Sequence, residues 1–417
     1  MEVYELALAN DPSLQSAEVQ TLIGHREYRD ALFSYFPRIQ GRADYDRRNQ
    51  NILSSDNTVF SIGKARYSVT QGLVEIKQPI IDYGRLMRIR KGSALEARSF
   101  ALFADGRQNL ILKVCDGYFR SLAELKRIQL VEAAKKAIET QLRFARERGA
   151  AGQVPASEVK EIEAQAQLAF SELVDAQNEY HDRLQSLVEL TGSPVARVAP
   201  FKQLLPLMPP HPLDVENWVS LAGDGNHELH AQQLSVDAAG YKREEVLGEY
   251  LPNVEGTGTY DYTDQGGSQF GGGSVTSDYT LGVRLNVPIF NSEGTGYTVI
   301  KESYEVKVES LKLEQLRRKI AREIRDFYNL ATGAVRKHKA LSQAVEATKV
   351  RLSELTAKSR AGQVSSIDVL EAQRDLVRAQ RDQFDALVEY ILNMTRLKAR
   401  AGVLSEEDLL YLNRFLG

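Results

Sequence analysis

The sequence has very little of what holds small secreted or metal-built domains together. It has one cysteine in 417 residues, Cys115, which excludes an intrachain disulfide framework. Set inside a helical pattern, Cys115 reads as a small buried apolar side chain. No run of eighteen apolar residues occurs, which excludes a transmembrane helix. The mean hydropathy of −0.34 is likewise not that of a helical membrane protein. Neither sign of charge dominates: 53 Lys and Arg stand against 56 Asp and Glu. The electrostatic footprint of a nucleic-acid binder is therefore missing, and no nucleic-acid partner is expected.

Catalytic patterns are equally scarce. His227-Glu228-Leu229-His230 offers two histidines three apart, without the zincin spacing or a further ligand, and reads as a surface helix. Gly271-Gly272-Gly273 is not followed by Lys-Ser/Thr or by a helix start, so it is no phosphate loop. No Ser/His/Asp or Cys/His arrangement can be assembled. No enzymatic activity, metal or cofactor is expected. A signal peptide is not visible either. Met1 runs straight into helical Glu2-Val3-Tyr4-Glu5-Leu6, as expected of a mature chain behind a start methionine, without an N-terminal lipid-anchor cysteine.

What is present is a repeat. Gly362-Gln363-Val364-Ser365-Ser366-Ile367-Asp368-Val369-Leu370-Glu371-Ala372 reads as a helix-breaking turn followed by a capped helix start. Gly152-Gln153-Val154-Pro155-Ala156-Ser157-Glu158-Val159 is its earlier counterpart. At the offset that lays Gly152 on Gly362, Glu158 falls on Asp368 and Glu161 on Glu371. Tyr180 falls on Tyr390, Leu187 on Leu397 and Gly192 on Gly402. A shared register this long predicts a tandem duplication.

Taken in order, residues 1–35 predict a helix interrupted near Asn10-Asp11-Pro12-Ser13. From Arg38 the period changes to two, with Ile39, Gly41, Ala43 and Tyr45 on one face, and a polar stretch follows over 47–57. A second strand is expected over 67–78, closed by Pro79. Asp82-Tyr83-Gly84 opens a helical pattern to Gly149, about 65 residues and about 100 Å at 1.5 Å per residue. After the Gly152 turn, Val159, Ala166, Leu173, Tyr180 and Leu187 recur every seventh residue, the coiled-coil period. A linker over 193–215 carries Pro194, Pro200, Pro206, Pro209, Pro210 and Pro212.

The plan then repeats. A helix ends at Tyr250-Leu251-Pro252. A third strand places Val254, Gly256, Gly258, Tyr260 and Tyr262 on one face, a Gly-rich loop spans 266–274, and Pro288 ends a fourth strand. A helix of about 70 residues from Asn291 to Arg360, the Gly362 turn, a long helix to about Arg400 and a short one over 405–415 complete the chain. The expected fold class is α+β, mainly helical, in two structural repeats. Residues 1–205 hold the hairpin 38–78 and the tip turn 149–156. Residues 206–417 hold the hairpin 253–288, the tip turn 361–365 and a C-terminal segment.

Four alternating strands of about ten residues carry the pattern of membrane β-barrel strands. The competing reading is a soluble antiparallel sheet with one buried face. Four strands are too few to close a membrane barrel, and open edges cannot face lipid. If these strands span a membrane, several copies must pool them.

The tip stretch around Gly362, Tyr390-Ile391-Leu392, and the ending Ala401-Gly402-Val403-Leu404-Ser405-Glu406-Glu407-Asp408 resemble the TolC family of outer-membrane efflux and type I secretion channels. Tyr35-Phe36-Pro37, Gln78-Pro79-Ile80-Ile81-Asp82, Tyr250-Leu251-Pro252 and Val287-Pro288-Ile289-Phe290-Asn291 add to the resemblance, which covers essentially the whole chain. It implies a homotrimer in the outer membrane of a Gram-negative cell. A twelve-stranded barrel would sit in outer-membrane lipid, and an α-helical coiled-coil barrel would extend into the periplasm.

It also implies docking to a periplasmic adaptor (membrane fusion protein) and to an inner-membrane pump of the RND or ABC type. The tip turns Gly152, Gln153, Val154, Gly362, Gln363 and Val364 would take part in that docking. Acidic residues after the second tip ring the entrance in that family. Asp368 and Glu371 match them, and Glu158 matches in the first repeat, so these three are the expected pore constriction. Helix N-terminal charge is the plain alternative for them. The family's gate arginine and tyrosine fall at Val364 and Ser359, with Arg360 nearby, so its closing contacts do not carry over. The rival functional class is a soluble coiled-coil scaffold or a periplasmic adaptor.

Overall fold

A computed structural model describes residues 1–54, 63–203, 205–267, 272–289, 295–361 and 363–417. Gly362, the expected helix start Asn291 and Gly271 of the Gly-rich loop lie outside the described residues. The elements are α1 Glu2–Asn10, α2 Pro12–Phe33, β1 Arg38–Ile52, β2 Gly63–Ile81, α3 Tyr83–Ala150 and α4 Ala156–Thr191. After the linker come α5 Val215–Gly225, α6 His227–Gly248, β3 Asn253–Gln265, β4 Ser274–Asn286, α7 Thr295–Arg360, α8 Ser366–Arg400 and α9 Glu406–Asn413. The fold is α+β, mainly helical, with one four-stranded antiparallel sheet. Two compact units divide the chain. The first is 1–20, 100–231 and 314–417; the second is 21–99 and 232–313.

In the first unit, α4 buries Ile162, Ala166, Ala169, Leu173 and Ala176 at alternating four- and three-residue steps, and Leu184 and Leu187 two turns further on, the pattern of a helix seam. Leu187 is fully buried in a notch that Gly117 leaves on α3, where an added Cβ would meet Leu187 Cδ2 at 2.6 Å. The helix break at Asp11 and the break at Asn226 are built alike. Asp11 Oδ1 accepts from Leu14 N–H at 2.8 Å, and Asn226 Oδ1 accepts from Leu229 N–H at 2.8 Å. Neighbouring amides tie both breaks to helix ends. Asn10 donates to Thr191 O and Asn226 to Arg400 O, each at 2.9 Å. Those ends are terminated by Gly192 and Gly402 at φ 62° and 74°, a left-handed conformation that glycine adopts without strain.

The proline-rich linker is held rather than free. Lys202 N–H donates to Phe415 O at 2.9 Å, Gly417 N–H donates to Pro200 O at 3.0 Å, and Phe201 stacks on Phe119. Tyr390 Oη donates to Met208 O at 2.8 Å. These bonds satisfy backbone groups that a chain of prolines cannot pair in a ladder.

In the second unit the sheet runs β1-β2-β3-β4. Strand lengths depart from expectation: 15, 19, 13 and 13 residues rather than about ten. The polar stretch after Asp46 continues β1, because ladder bonds are made by backbone, and β1 pairs with β2 without interruption from Arg38↔Lys77 to Ile52↔Gly63. Pro79 does not close β2. It lies beyond the last β1 partner and at a register shift between Pro79 and Ile81, where a missing N–H is tolerated. β4 begins at Ser274, the last residue of the expected Gly-rich loop, and stops two residues before Pro288.

Four helical segments accompany the strands. α3 crosses α6 at Gly84 and Gly248, where an added Cβ on Gly248 would come within 2.5 Å of the Gly84 backbone. Glu245, buried beside that crossing, pairs with Arg88 and Lys91 of α3, each at 2.7 Å. The buried carboxylate is thereby neutralised from the neighbouring helix.

Candidate functional site

Two regions carry functional geometry, one in each unit. In the sheet, the cross-strand register sorts side chains into two faces. Ile39, Ile76, Gly258 and Leu281 form one row, and Gly41, Val74, Tyr260 and Tyr279 the next. The opposite face carries rows such as Gln40, Glu75, Thr259 and Thr280, and Arg42, Leu73, Asp261 and Asp278. The apolar face is bare in the single chain: Tyr279 and Leu281 are 81% and 83% exposed. Glycines at 41, 72, 256 and 258 interleave with the large side chains, so the face is apolar without being a packed core. Among the described residues β1 and β4 each pair on one side only, leaving two open edges. On the polar face Arg284 pairs with Glu255 at 3.1 Å.

The second region is the pair of tip turns in the first unit. The first turn ends α3 with Gly152 at φ 74° and a six-residue closure from Gln153 N–H to Arg148 O at 2.9 Å. The second turn has the matching closure, Gln363 N–H to Lys358 O at 2.9 Å. Gln153 and Gln363 are exposed, while Val154 and Val364 are half-buried.

α8 then starts with a capping box. Ser365 Oγ accepts from Ile367 N–H at 3.1 Å, and Asp368 Oδ2 accepts from Ser365 N–H at 3.1 Å. Asp368 therefore caps its own helix while staying exposed. Glu371 is exposed one turn further on and borders a cavity of about 130 Å³ with Glu161, Glu172 and Arg374.

Glu158 occupies a different position. Its Oε1 accepts from Ser365 Oγ and from Ser366 N–H, both at 3.3 Å, across the two turns. It sits at the N-terminus of α8, where a carboxylate is favoured by the helix dipole. Ser365 and Ser366 are partners that sequence reasoning missed, because a contact between separate turns leaves no local signal. A second omission did have a signal. Asp375, Asp382, Asp385 and Glu389 follow Asp368 and Glu371 at three-, four- and seven-residue steps, and so share one face of α8. Burial pushes the Asp385 carboxyl above the ordinary range. Arg381 opposes this, and Glu124, Asp382 and Glu389 reinforce it.

Among the described residues no cluster of His, Cys, Asp or Glu could hold a metal ion, and no helix is long and apolar enough to cross a membrane. Burial pushes the Cys115 thiol up to about 12, too high for a thiolate nucleophile at neutral pH.

Comparison with known proteins gives a consistent result. The family model described as outer membrane efflux protein matches residues 3–193 and 218–403. The chain is 26% identical over 416 residues to the alkaline protease secretion protein AprF of Pseudomonas aeruginosa, spanning 98% of this chain and 85% of that protein. It is 23% identical over 429 residues to the outer membrane protein TolC of Escherichia coli, spanning 100% of this chain and 84% of that protein. The solved structure of the outer membrane protein VceC from Vibrio cholerae superposes with a TM-score of 0.83 at 16% identity, over 96% of this chain and 95% of that one.

Proposed function

This chain belongs to the outer membrane efflux protein family, and on that premise we propose that it works as a homotrimer whose copies pool their strands into one twelve-stranded barrel. Membership makes the chain an outer-membrane exit duct that reaches into the periplasm, and sets aside the soluble scaffold or adaptor. The observation that carries the assembly is the sheet: an apolar face bare to solvent between two open edges. About half the N–H and C=O groups of the 13-residue β4 point away from β3. At several kcal/mol for each unpaired group in hydrocarbon, leaving that edge open in lipid costs tens of kcal/mol. Pairing β4 of one copy with β1 of the next removes the cost. Three copies give twelve strands, an even number in the range of known barrels.

The duct has no chemistry of its own in this reading. It takes cargo from an inner-membrane pump of the RND or ABC type through a periplasmic adaptor that docks around the tip turns at Gly152 to Val154 and Gln363 to Val364. The similarity to a protein named for alkaline protease secretion favours a secreted protein as cargo and an ABC pump of a type I system. Asp368 and Glu371 form the entrance constriction, favouring cations as acidic rings do in channels. Glu158 supports the α8 start from the neighbouring turn. The division into repeats 1–205 and 206–417 is supported by the matching helix breaks at Asp11 and Asn226.

Planar-bilayer conductance of the detergent-purified protein, with cross-linking of the same sample, tests the reading. A small cation-selective conductance from a trimer is expected. A detergent-independent monomer or dimer without conductance would refute it.

A further inference from the structure

The apolar face of the sheet changes its chemistry toward one end. From Ile39 to Tyr45 that face of β1 carries Ile, Gly, Ala and Tyr. The next three rows are Arg47 with Ser68, Asn49 with Arg66, and Asn51 with Lys64. Side-chain direction in a strand has period two, so the three cations point the same way as the apolar rows. Arg47, Lys64 and Arg66 are all exposed. Arg66 Nε donates to Asn49 Oδ1 at 3.3 Å, a bond within this face. β3 pairs with β2 as far as Val69↔Gln265, and Gly266 N–H donates to Ser68 O at 2.8 Å. Beyond that level β1 and β2 run on as a ribbon to Ile52↔Gly63.

The two faces sort charge differently. The polar face mixes signs along its length: Arg42 pairs with Asp44 at 2.7 Å, Lys77 with Glu75 at 2.9 Å and Arg284 with Glu255 at 3.1 Å. On the apolar face the described strand residues include one carboxylate, Asp264, in the row of Tyr45 and Thr70. They include no cation there before Arg47. Arg and Lys are costly on a lipid-facing side at mid-bilayer and nearly free at its rim, so cations gathered at one end mark an interface.

We propose that Arg47, Lys64 and Arg66 bind the phosphate groups of a glycolipid headgroup in the outer leaflet of the membrane. β1 leaves α2 at Arg38 and β2 leads into α3 after Ile81, so the basic ribbon stands at the strand end remote from both helices. The helical part of the duct reaches into the periplasm, so this end faces outward. Tyr45, 71% exposed, is the aromatic at the rim. With strands tilted by about 40°, Arg47 stands about 5 Å above it and Arg66 about 10 Å. The headgroup layer is about 5–7 Å thick, and long basic side chains reach back into it. Charge complementarity names the ligand: guanidinium groups take phosphate in bidentate fashion, and lysine as a point charge. The three cations spread over about 14 Å of ribbon. That span suits two phosphates held apart by sugars better than the single phosphate of a diacyl phospholipid. Asn49, Asn51 and Ser68 lie between the cations and offer hydrogen-bonding groups to sugar hydroxyls.

This inference rests on the barrel reading, and the experiment keeps the two apart. The full chain and its variant Arg47→Gln/Lys64→Gln/Arg66→Gln are reconstituted into phosphatidylcholine vesicles, and insertion is scored by flotation after an alkaline wash. The detergent-purified proteins are then titrated with diphosphoryl lipid A, monophosphoryl lipid A and phosphatidylglycerol, and bound lipid is counted by native mass spectrometry. Both proteins are expected to insert. The unaltered chain should prefer diphosphoryl lipid A, the triple variant should bind it about tenfold more weakly, and Arg42→Gln/Arg48→Gln, on the polar face, should bind it as the unaltered chain does. The lipid preference of the unaltered chain is read independently of any variant. Phosphatidylglycerol bound as tightly as diphosphoryl lipid A overturns the site and leaves the barrel standing. So does a triple variant that binds within about twofold of the unaltered chain, or an equal loss in the polar-face variant. An unaltered chain that does not insert sinks the barrel reading and the site with it.

Discussion

Replacing Glu371 by Gln is the sharpest probe of the proposed entrance. Asp368 is bound up in the capping box of α8, so Asp368→Asn mixes a local helix effect of about 0.5–2 kcal/mol with any electrostatic one. Glu371 has no such duty: it is exposed and one turn inside the helix. A divalent cation about 6 Å from one carboxylate is held by about 1.4 kcal/mol at the dielectric constant of water. Three copies give about 4 kcal/mol, and a screening length of about 10 Å at 0.1 M salt leaves about 2 kcal/mol. Block of the reconstituted channel by divalent cations is therefore expected to weaken roughly thirtyfold in Glu371→Gln, with reduced cation preference in the reversal potential. If blocking concentration and reversal potential stay within twofold, in this variant and in Asp368→Asn/Glu371→Gln, these carboxylates do not ring the passage.

Further outcomes follow from the packing and the charges. Gly248→Ala puts a methyl group 2.5 Å from the Gly84 backbone, which cannot yield as a side chain can. A loss of about 1–3 kcal/mol or more is expected in thermal unfolding, whereas Gly223→Ala, with open space around it, stays near wild type. Leu187→Ala empties the notch beside Gly117 and is expected to cost about 2–5 kcal/mol in the same assay; the exposed Val350→Ala serves as its reference, within about 0.5 kcal/mol. Burial pushes the Asp11 carboxyl up, but the Ser13 hydroxyl, the Leu14 N–H and Lys113 outweigh burial and hold it below its ordinary 3.8. A depressed folded value means that its stabilisation is complete above the unfolded value and is lost as pH falls through the folded one. Stability measured from pH 6 down to about pH 3 should fall less steeply in Asp11→Asn, and an unchanged acid limb would contradict this.

The tip residues show how a local signal and a distant one differ. The spacing of Ser365 to Asp368 is a capping box within four residues of chain, and α8 starts there as expected. The Glu158 contact with Ser365 and Ser366 joins turns far apart in sequence. Nothing near Glu158 announces it, and position in the repeat alone suggested a pore-lining role. The stripe from Asp375 to Glu389 was legible by spacing, but it becomes a face only once the helix is traced beyond its first turn.

The strands divide in the same way. Alternation determined where strands run and which side is apolar, because side-chain direction in a strand has period two whatever the partner. Their ends were decided by pairing. β1 continues through a polar stretch and β2 through Pro79 because β2 and β3 supply ladder partners there. By itself the sequence determined the helix break at Asp11, the turn and capped start of α8 and the seam of α4. All of these rest on interactions within a few residues or on a repeating period. Only the tertiary structure decided the edge-to-edge order of the four strands, the crossing of α3 and α6 at Gly84 and Gly248, and that Glu158 reaches α8. Neighbours across a layer are fixed by packing between segments hundreds of residues apart, and no local period encodes that.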